Sequence, residues 1–258
     1  MRFAVVIPAH NEAATVRAVV EGALRHAPLV IVVDDGSDDG TAAVLAGLPV
    51  SLLVNAANQG KAASLWRGMQ RALAEGVDAV VTLDADGQHD PADIVRLVTA
   101  SRRAPGQIVI GARLANRRNI PALRYFANRF ANFWIAWASG YPIEDSQSGF
   151  RLYPAKLLRE VRTPRDRSAG FVFESEILIE ASRLGVASVA IPVAAIYPRA
   201  RRSHFRPITD VSRIARMVAW KLLSRGLYAA GLVRSLRRRP PEFALEPQEK
   251  REDGLYKS

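Results

Sequence analysis

Val81-Thr82-Leu83-Asp84-Ala85-Asp86-Gly87-Gln88-His89-Asp90-Pro91, VTLDADGQHDP, runs from an apolar stretch straight into three carboxylates within seven residues. Self-repulsion and desolvation both oppose such a cluster, so it calls for a cation. An Asp-x-Asp pair at the end of an extended segment sends alternate side chains the same way, which lets Asp84 and Asp86 face one ion. A hard divalent ion held by few carboxylates keeps positions open for phosphate oxygens, and Mg²⁺ or Mn²⁺ suits that arrangement. An EF-hand fits poorly, because its sixth and twelfth positions would hold His89 and Val95 instead of Gly and Glu. Asp90, directly before Pro91, is better read as a helix cap.

Working outward, the chain alternates regularly up to residue 112. Apolar, β-rich runs at Phe3–Ile7, Leu29–Val33, Val50–Val54, Ala79–Leu83 and Ile108–Ile110 are separated by helix-like stretches near 12–26, 39–46, 60–75 and 91–103. Continuous apolar runs indicate strands covered on both faces, hence an α/β arrangement with a mostly parallel, Rossmann-like sheet flanked by helices. Ligands of such sheets gather at the carboxyl ends of the strands. The polar clusters obey that rule: Pro8-Ala9-His10-Asn11-Glu12 follows the first strand, Asp34-Asp35-Gly36-Ser37 the second and Asp84-Ala85-Asp86 the fourth. A phosphoacceptor signalling domain also collects acids at strand ends, but in about half this length and without a basic C-terminal third.

The chain has 258 residues, 49% of them hydrophobic, which is enough for a substantial core. Its net charge of +11 is localised: the segment from Arg199 to Arg239 holds twelve Lys or Arg and one acid, Asp210, so the rest sums to neutral. Such a block suits phosphates on a lipid surface, a nucleic acid or a small ligand. The aromatics cluster at 125–137 and do not interleave with the arginines, which disfavours nucleic acid. The absence of cysteine excludes disulfides and thiolate metal sites and agrees with a reducing compartment. No apolar run reaches the ~18 to 20 residues of a spanning helix, and FAVVIPA at the N-terminus reads as a strand, not a signal segment.

Beyond Gly111 the pattern changes. Residues 122–140 read as an aromatic-rich helix, 173–184 as a helix and 186–196 as an apolar strand. From Ile208 to about Leu236 one amphipathic helix is expected, with Val211, Ile214, Ala215, Val218 and Leu222 on one face and Arg213 and Arg216 opposite. Trp220 and Leu223 fall outside that stripe. The stripe has two possible partners, a membrane or the protein's own domain. This gives a main domain over 1–205, a basic helical extension over 206–239 and a disordered tail over 240–258.

Seven motifs occur in order: VVIPAHNE (5–12), VVDDGSDDGT (32–41), NQGKAASLWRGM (58–69), LDADGQHDP (83–91), GAR (111–113), DSQSGFRLY (145–153) and GFVFESE (170–176). Together they resemble the family 2 glycosyltransferases, and within them the dolichol-phosphate mannose synthase-like branch. The resemblance covers residues 3–205 and implies a GT-A fold and inverting, metal-dependent transfer from a nucleoside-diphosphate sugar, UDP- or GDP-linked. It places Pro8, Asn11, Glu12, Asp35, Lys61 and Asp84 at the donor. Asp84 and Asp86 become the metal and diphosphate pair with Gln88 as third ligand, and Arg113 a diphosphate or acceptor-phosphate clamp.

Asp145 is the candidate general base for a hydroxyl acceptor, with Glu144 second. A phosphate acceptor is already ionised at neutral pH and needs cations in place of a base. The basic set Arg151, Arg199, Arg201, Arg202 and Arg206, with Ser203 and His204, favours a lipid phosphate, a polyprenyl phosphate above all, taken up peripherally at the cytoplasmic face of the membrane. Ser203-His204-Phe205 stands where the synthases carry Ser-Lys-Leu, so a group not reliably charged at pH 7 replaces their lysine. A hydroxyl of a glycan or another lipid is the alternative acceptor, and a nucleotide-sugar or anionic-polymer binding module is the non-enzymatic alternative.

Overall fold

The computed structural model describes residues 1–113, 122–161, 172–194, 196 and 207–236. Arg199, Arg201, Arg202, Ser203, His204 and Arg206, together with the expected tail at 240–258, lie outside the described residues. The strands are β1 Phe3–Ala9, β2 Val30–Asp34, β3 Ser51–Val54, β4 Ala79–Thr82, β5 Ile108–Ala112, β6 Arg151–Pro154 and β7 Ser188–Pro192. They form one sheet in the order β3-β2-β1-β4-β6-β5-β7. β1 runs parallel to β2 and β4, and β5 to β7, while β6 lies antiparallel between β4 and β5.

The helices are α1 Val16–Leu24, α2 Lys61–Ala74, α3 Ile94–Arg103, α4 Ala122–Ser139, α5 Ala155–Glu160, α6 Val172–Arg183, α7 Pro207–Leu223 and α8 Ala229–Ser235. Successive strand residues take opposite faces. Val5, Ile7, Val30, Val32 and Val81 pack with α1 and α3, whereas Ala4, Val6, Ile31, Val33 and Val80 pack with α2, α4 and α6. Burial on both faces is what the unbroken apolar runs demanded. Because β2, β1 and β4 are parallel neighbours, the loops after them open at one edge of the sheet.

Two expectations change, and one stretch left unassigned gains structure. The stretch 39–46 forms only a short 3₁₀ turn at Ala43–Leu45, because Asp39 and Thr41 bind backbone of the loop after β1. The DSQSGFRLY stretch contains β6, with α5 directly after it. The single helix expected over 208–236 is broken at Gly226, where Leu227 and Tyr228 take left-handed backbone (φ 62° and 45°) and the chain turns into α8.

The apolar stripe of α7 is settled by packing: Ile214, Val218 and Leu222 are buried in the core shared with α4 and α6. Lys221 reinforces the seat with ion pairs to Glu176 (2.9 Å) and Glu180 (2.6 Å) on α6. The side left outward carries Trp220 and Leu223, 70% and 64% exposed. Among the described residues no helix is long and apolar enough to cross a membrane.

Candidate active site

The loops after β1 and β2 are sewn together by backbone donors. Asn11 N–H donates to Ser37 Oγ (3.0 Å), Glu12 N–H to Thr41 Oγ1 (2.8 Å) and Asp38 N–H to the Asn11 side-chain oxygen (3.0 Å). Asn11 itself is left-handed at φ 55°, a region asparagine tolerates better than bulkier residues. Glu12 is buried, and Thr15 Oγ1 donates both to its carboxylate (3.1 Å) and to Ala85 O (2.8 Å), which ties the first loop to the Asp-x-Asp turn. Pro8, expected as a donor contact in the first loop, is instead a buried residue inside β1.

Asp35, expected at the donor, is buried and has its oxygens engaged internally. Asn55 Nδ2 (2.7 Å) and Gln59 N–H (2.9 Å) donate to Oδ1, and Gly60 N–H (2.8 Å) to Oδ2. Asp35 therefore builds the floor under residues 58–60. Gly36 allows the close approach, since a β-carbon there would stand 2.6 Å from the Ala57 backbone. The next residue after Gly60 is Lys61, the first of α2, and its ammonium lies 2.7 Å from Asp84 Oδ1 and 2.9 Å from Glu174 Oε1. Burial alone would lower the Lys61 pKa, but the two carboxylates outweigh it and raise it. The Lys61 ammonium, working against burial, in turn holds Asp84 below the usual carboxylate range.

Asp84 and Asp86 sit in the turn just past β4, not in the strand itself. Asp86 accepts from Gln88 N–H (3.0 Å) and from Gln88 Nε2 (2.7 Å), so the three polar residues of the turn are in contact or electrostatic reach of one another. Burial, and next the charge of Asp84, push the Asp86 carboxyl up. Two carboxylates that repel in a half-buried turn fit a dication. Among the described residues no three acidic or imidazole side chains converge on one point, so diphosphate oxygens would complete the coordination, the form in which Mg²⁺ and Mn²⁺ commonly bind. Asp90 caps the following turn as expected, accepting from Ala92 N–H at 2.9 Å. His89 is buried against Phe150, ring centroids 5.2 Å apart, and burial followed by the Arg113 charge drives its pKa down to about 4.

Asp145 and Arg113 do not stand as separate base and clamp. Asp145 is 0% exposed and accepts from both the backbone N–H (3.1 Å) and Nε (3.3 Å) of Arg113. Burial opposes ionisation, yet Arg113 outweighs it and lowers the Asp145 pKa. Arg151, expected at the acceptor, is wholly buried in β6: Nε donates to Ser148 O (2.7 Å), Nη2 to Ser146 O (2.8 Å) and Nη1 to Glu174 O. It ties the 145–150 loop to the first turn of α6 and does not reach a ligand surface.

Three residues without an assigned role in the sequence complete the frame. Asn132 on α4 donates to Glu144 O and accepts from Ser146 N–H (2.9 Å) and Oγ (2.7 Å). Gly149 carries no side chain where a β-carbon would meet Asp84. Glu174 supplies the second carboxylate on Lys61; the signal for it was an acid inside the apolar FVFESEILI run, which demands a buried cation. The structure thus gathers Glu12, Lys61, Asp84, Asp86, Gln88, Arg113 and Asp145 around one edge of the sheet, with Asp35 beneath.

Known proteins carry the same chain plan. UDP-N-acetylglucosamine–dolichyl-phosphate N-acetylglucosaminyltransferase of Methanococcus voltae is 29% identical over 74% of this chain and 84% of its own. Polyprenol monophosphomannose synthase of Mycolicibacterium smegmatis is 31% identical over 74% of this chain and 76% of its own. Among solved structures, glucosyl-3-phosphoglycerate synthase of Mycobacterium tuberculosis, in complex with Mn²⁺, UDP-glucose and phosphoglyceric acid, superposes with a TM-score of 0.61 at 25% identity. That match covers 87% of this chain and 79% of that one. Residues 4–162, which hold the Asp-x-Asp turn, Lys61 and the Arg113–Asp145 pair, match the family model described as glycosyl transferase family 2, and the chain belongs to that family.

Proposed function

We propose that this protein transfers a sugar, with inversion, from a nucleoside-diphosphate sugar to the phosphate of a polyprenyl-phosphate carrier. Asp84 and Asp86, with Gln88, would hold a divalent cation, Mg²⁺ or Mn²⁺. When bound, that cation offsets the charge on the departing diphosphate. Asn11, Glu12 and the Gly60–Lys61 corner line the donor side, and Lys61 adds a positive charge next to Asp84. Arg113, oriented twice by Asp145, brings the acceptor phosphate up to the sugar. A phosphate oxygen then bonds to the anomeric carbon as the bond to the diphosphate oxygen breaks on the opposite face.

The observation that carries this reading is the Arg113–Asp145 pair. A carboxylate with no exposed surface, held ionised by a guanidinium, is badly placed and badly poised to take a proton from a hydroxyl. A guanidinium held rigidly beside the acid cluster is what joining two anions requires. Named activities of the two relatives, on dolichyl phosphate and polyprenol phosphate, support a lipid-phosphate acceptor here. The exposed apolar side of α7 and α8, beside the exposed Arg216 and Arg234, supports peripheral contact with an anionic membrane at its cytoplasmic face.

The test offers UDP- and GDP-sugars with Mn²⁺ and either a polyprenyl phosphate or the matching polyprenol. Transfer to the phosphate alone is expected. Transfer to the polyprenol at comparable rate would move the reading to a hydroxyl acceptor, and donor binding without transfer to any acceptor would move it to a binding module.

A further inference from the structure

One ammonium serves two carboxylates from distant parts of the chain: Lys61 Nζ is 2.7 Å from Asp84 and 2.9 Å from Glu174. Glu174 is 2% exposed, in the first turn of α6, and a carboxylate so buried persists only beside a cation. Asp84 is the residue that a dication needs. Its charge is already offset by Lys61, and a dication on the same carboxylate would repel the ammonium strongly at this range.

We propose that Lys61 is a displaceable internal counter-cation. Without donor it occupies Asp84. When a nucleoside diphosphate carries a dication to Asp84 and Asp86, the ammonium withdraws onto Glu174 and toward the diphosphate. Glu174 is then a positioning residue: it gives Lys61 a partner to keep once Asp84 turns to the metal, and together they make metal capture depend on nucleotide. The inference rests on the dication assigned to Asp84 and Asp86 in the proposed function.

Two variants shift metal affinity in opposite directions, which separates this device from a merely structural ion pair. Glu174→Gln leaves Lys61 with Asp84 as its remaining carboxylate, so the dication must strip it bare. Lys61→Met combined with Glu174→Gln removes the competitor without leaving a buried charge behind.

The experiment titrates Mn²⁺ into each protein by electron paramagnetic resonance, first alone and then with UDP or GDP. The wild type is expected to bind Mn²⁺ weakly alone and at least about tenfold more tightly with nucleotide. Glu174→Gln should weaken the nucleotide-assisted binding about tenfold, and the double variant should bind free Mn²⁺ about tenfold more tightly than the wild type. Circular dichroism confirms that each variant is folded. If the folded double variant binds free Mn²⁺ no better than the wild type, while nucleotide still recruits the metal, the counter-cation is refuted and the metal site stands. If the wild type recruits no Mn²⁺ with either nucleotide and transfers sugar in excess chelator, the metal assignment fails and takes this inference with it.

Discussion

Gly149 lies directly against the carboxylate of Asp84: a β-carbon built on it would stand 2.5 Å from Oδ2 and 2.8 Å from Oδ1. The same glycine offers its carbonyl to Thr82 Oγ1 at 2.6 Å, so the antiparallel insertion of β6 beside β4 fixes how closely the 145–150 loop approaches the Asp-x-Asp turn.

Gly149→Ala therefore pushes Asp84 off Lys61 or the loop off β4. Overpacking of a tight contact costs about 1–3 kcal/mol, so the variant should fold with a lowered Tm. Because the displaced group is the proposed metal and diphosphate carboxylate, donor binding should weaken more than global stability does. Calorimetric titration of UDP or GDP with Mn²⁺, beside a thermal melt, checks both. Unchanged donor affinity with a lowered Tm would separate Gly149 from the site.

Asp145→Asn tests what the Arg113 pair is for. A general base contributes roughly 10²- to 10⁴-fold, whereas an orienting carboxylate replaced by its amide keeps part of the hydrogen bonding to Arg113 Nε and N–H. Transfer to the polyprenyl phosphate should fall by less than about 100-fold, with donor affinity intact. The folded pKa of Asp145 is depressed, so its contribution to stability is present above the ordinary carboxylate value and lost as pH falls through the lower folded one. No limb of the pH–rate profile near neutrality should then disappear in the variant. A loss beyond about 1000-fold, with the acid-side limb of the pH–rate profile gone, would instead mark a base and a hydroxyl acceptor.

His89 gives a stability signature. Its pKa is about 4 in the folded protein against about 6.5 unfolded. The unfolded chain takes up a proton between those values and the folded chain does not, so stability is full above about pH 6.5 and falls as pH drops toward 4. The shift corresponds to a loss of up to about 3 kcal/mol across that window. Thermal melts of the donor-free protein should show the decline. His89→Phe, which keeps an aromatic ring beside Phe150, should flatten that part of the curve while the carboxylate transition at lower pH remains.

How much of this could be read from the chain differs by element. β1, β2, β4 and β5 announce themselves because burial on both faces needs unbroken apolar runs, and Asp90-Pro91 is a cap that local chemistry alone dictates. β6 is hidden because Arg151 and Pro154 sit inside a four-residue strand; the arginine's donors are satisfied by backbone carbonyls of its own loop and of α6, a solution no local pattern encodes. The break after α7 hinges on left-handed Leu227 and Tyr228 beside Gly226, residues that spell helix by propensity. In the site, the acid clusters are legible as strand-end loops, but the partners are not. Lys61, Asp84 and Glu174 are far apart in sequence, and only the packing of α2 and α6 on one face of the sheet brings them together.

The last expectation concerns the outer side of the C-terminal helices. Ile214, Val218 and Leu222 are already buried in the core, so the face available to a bilayer is the other one. Trp220 and Leu223 on α7, Leu227 at the kink, Val233 on α8 and Leu236 just after it are all more than half exposed. Each large apolar side chain inserted contributes about 1.5–3 kcal/mol at full burial, less at an interface. Trp220→Glu with Leu223→Glu should therefore lower binding to vesicles containing phosphatidylglycerol by at least about tenfold. Circular dichroism and donor binding should stay unchanged, because neither residue enters the core. Raising the salt concentration should weaken the remaining, charge-driven binding. Equal sedimentation of wild type and variant with vesicles would place membrane contact elsewhere on the protein, and a change from dimer to monomer without loss of vesicle binding would assign this face to a second copy of the chain.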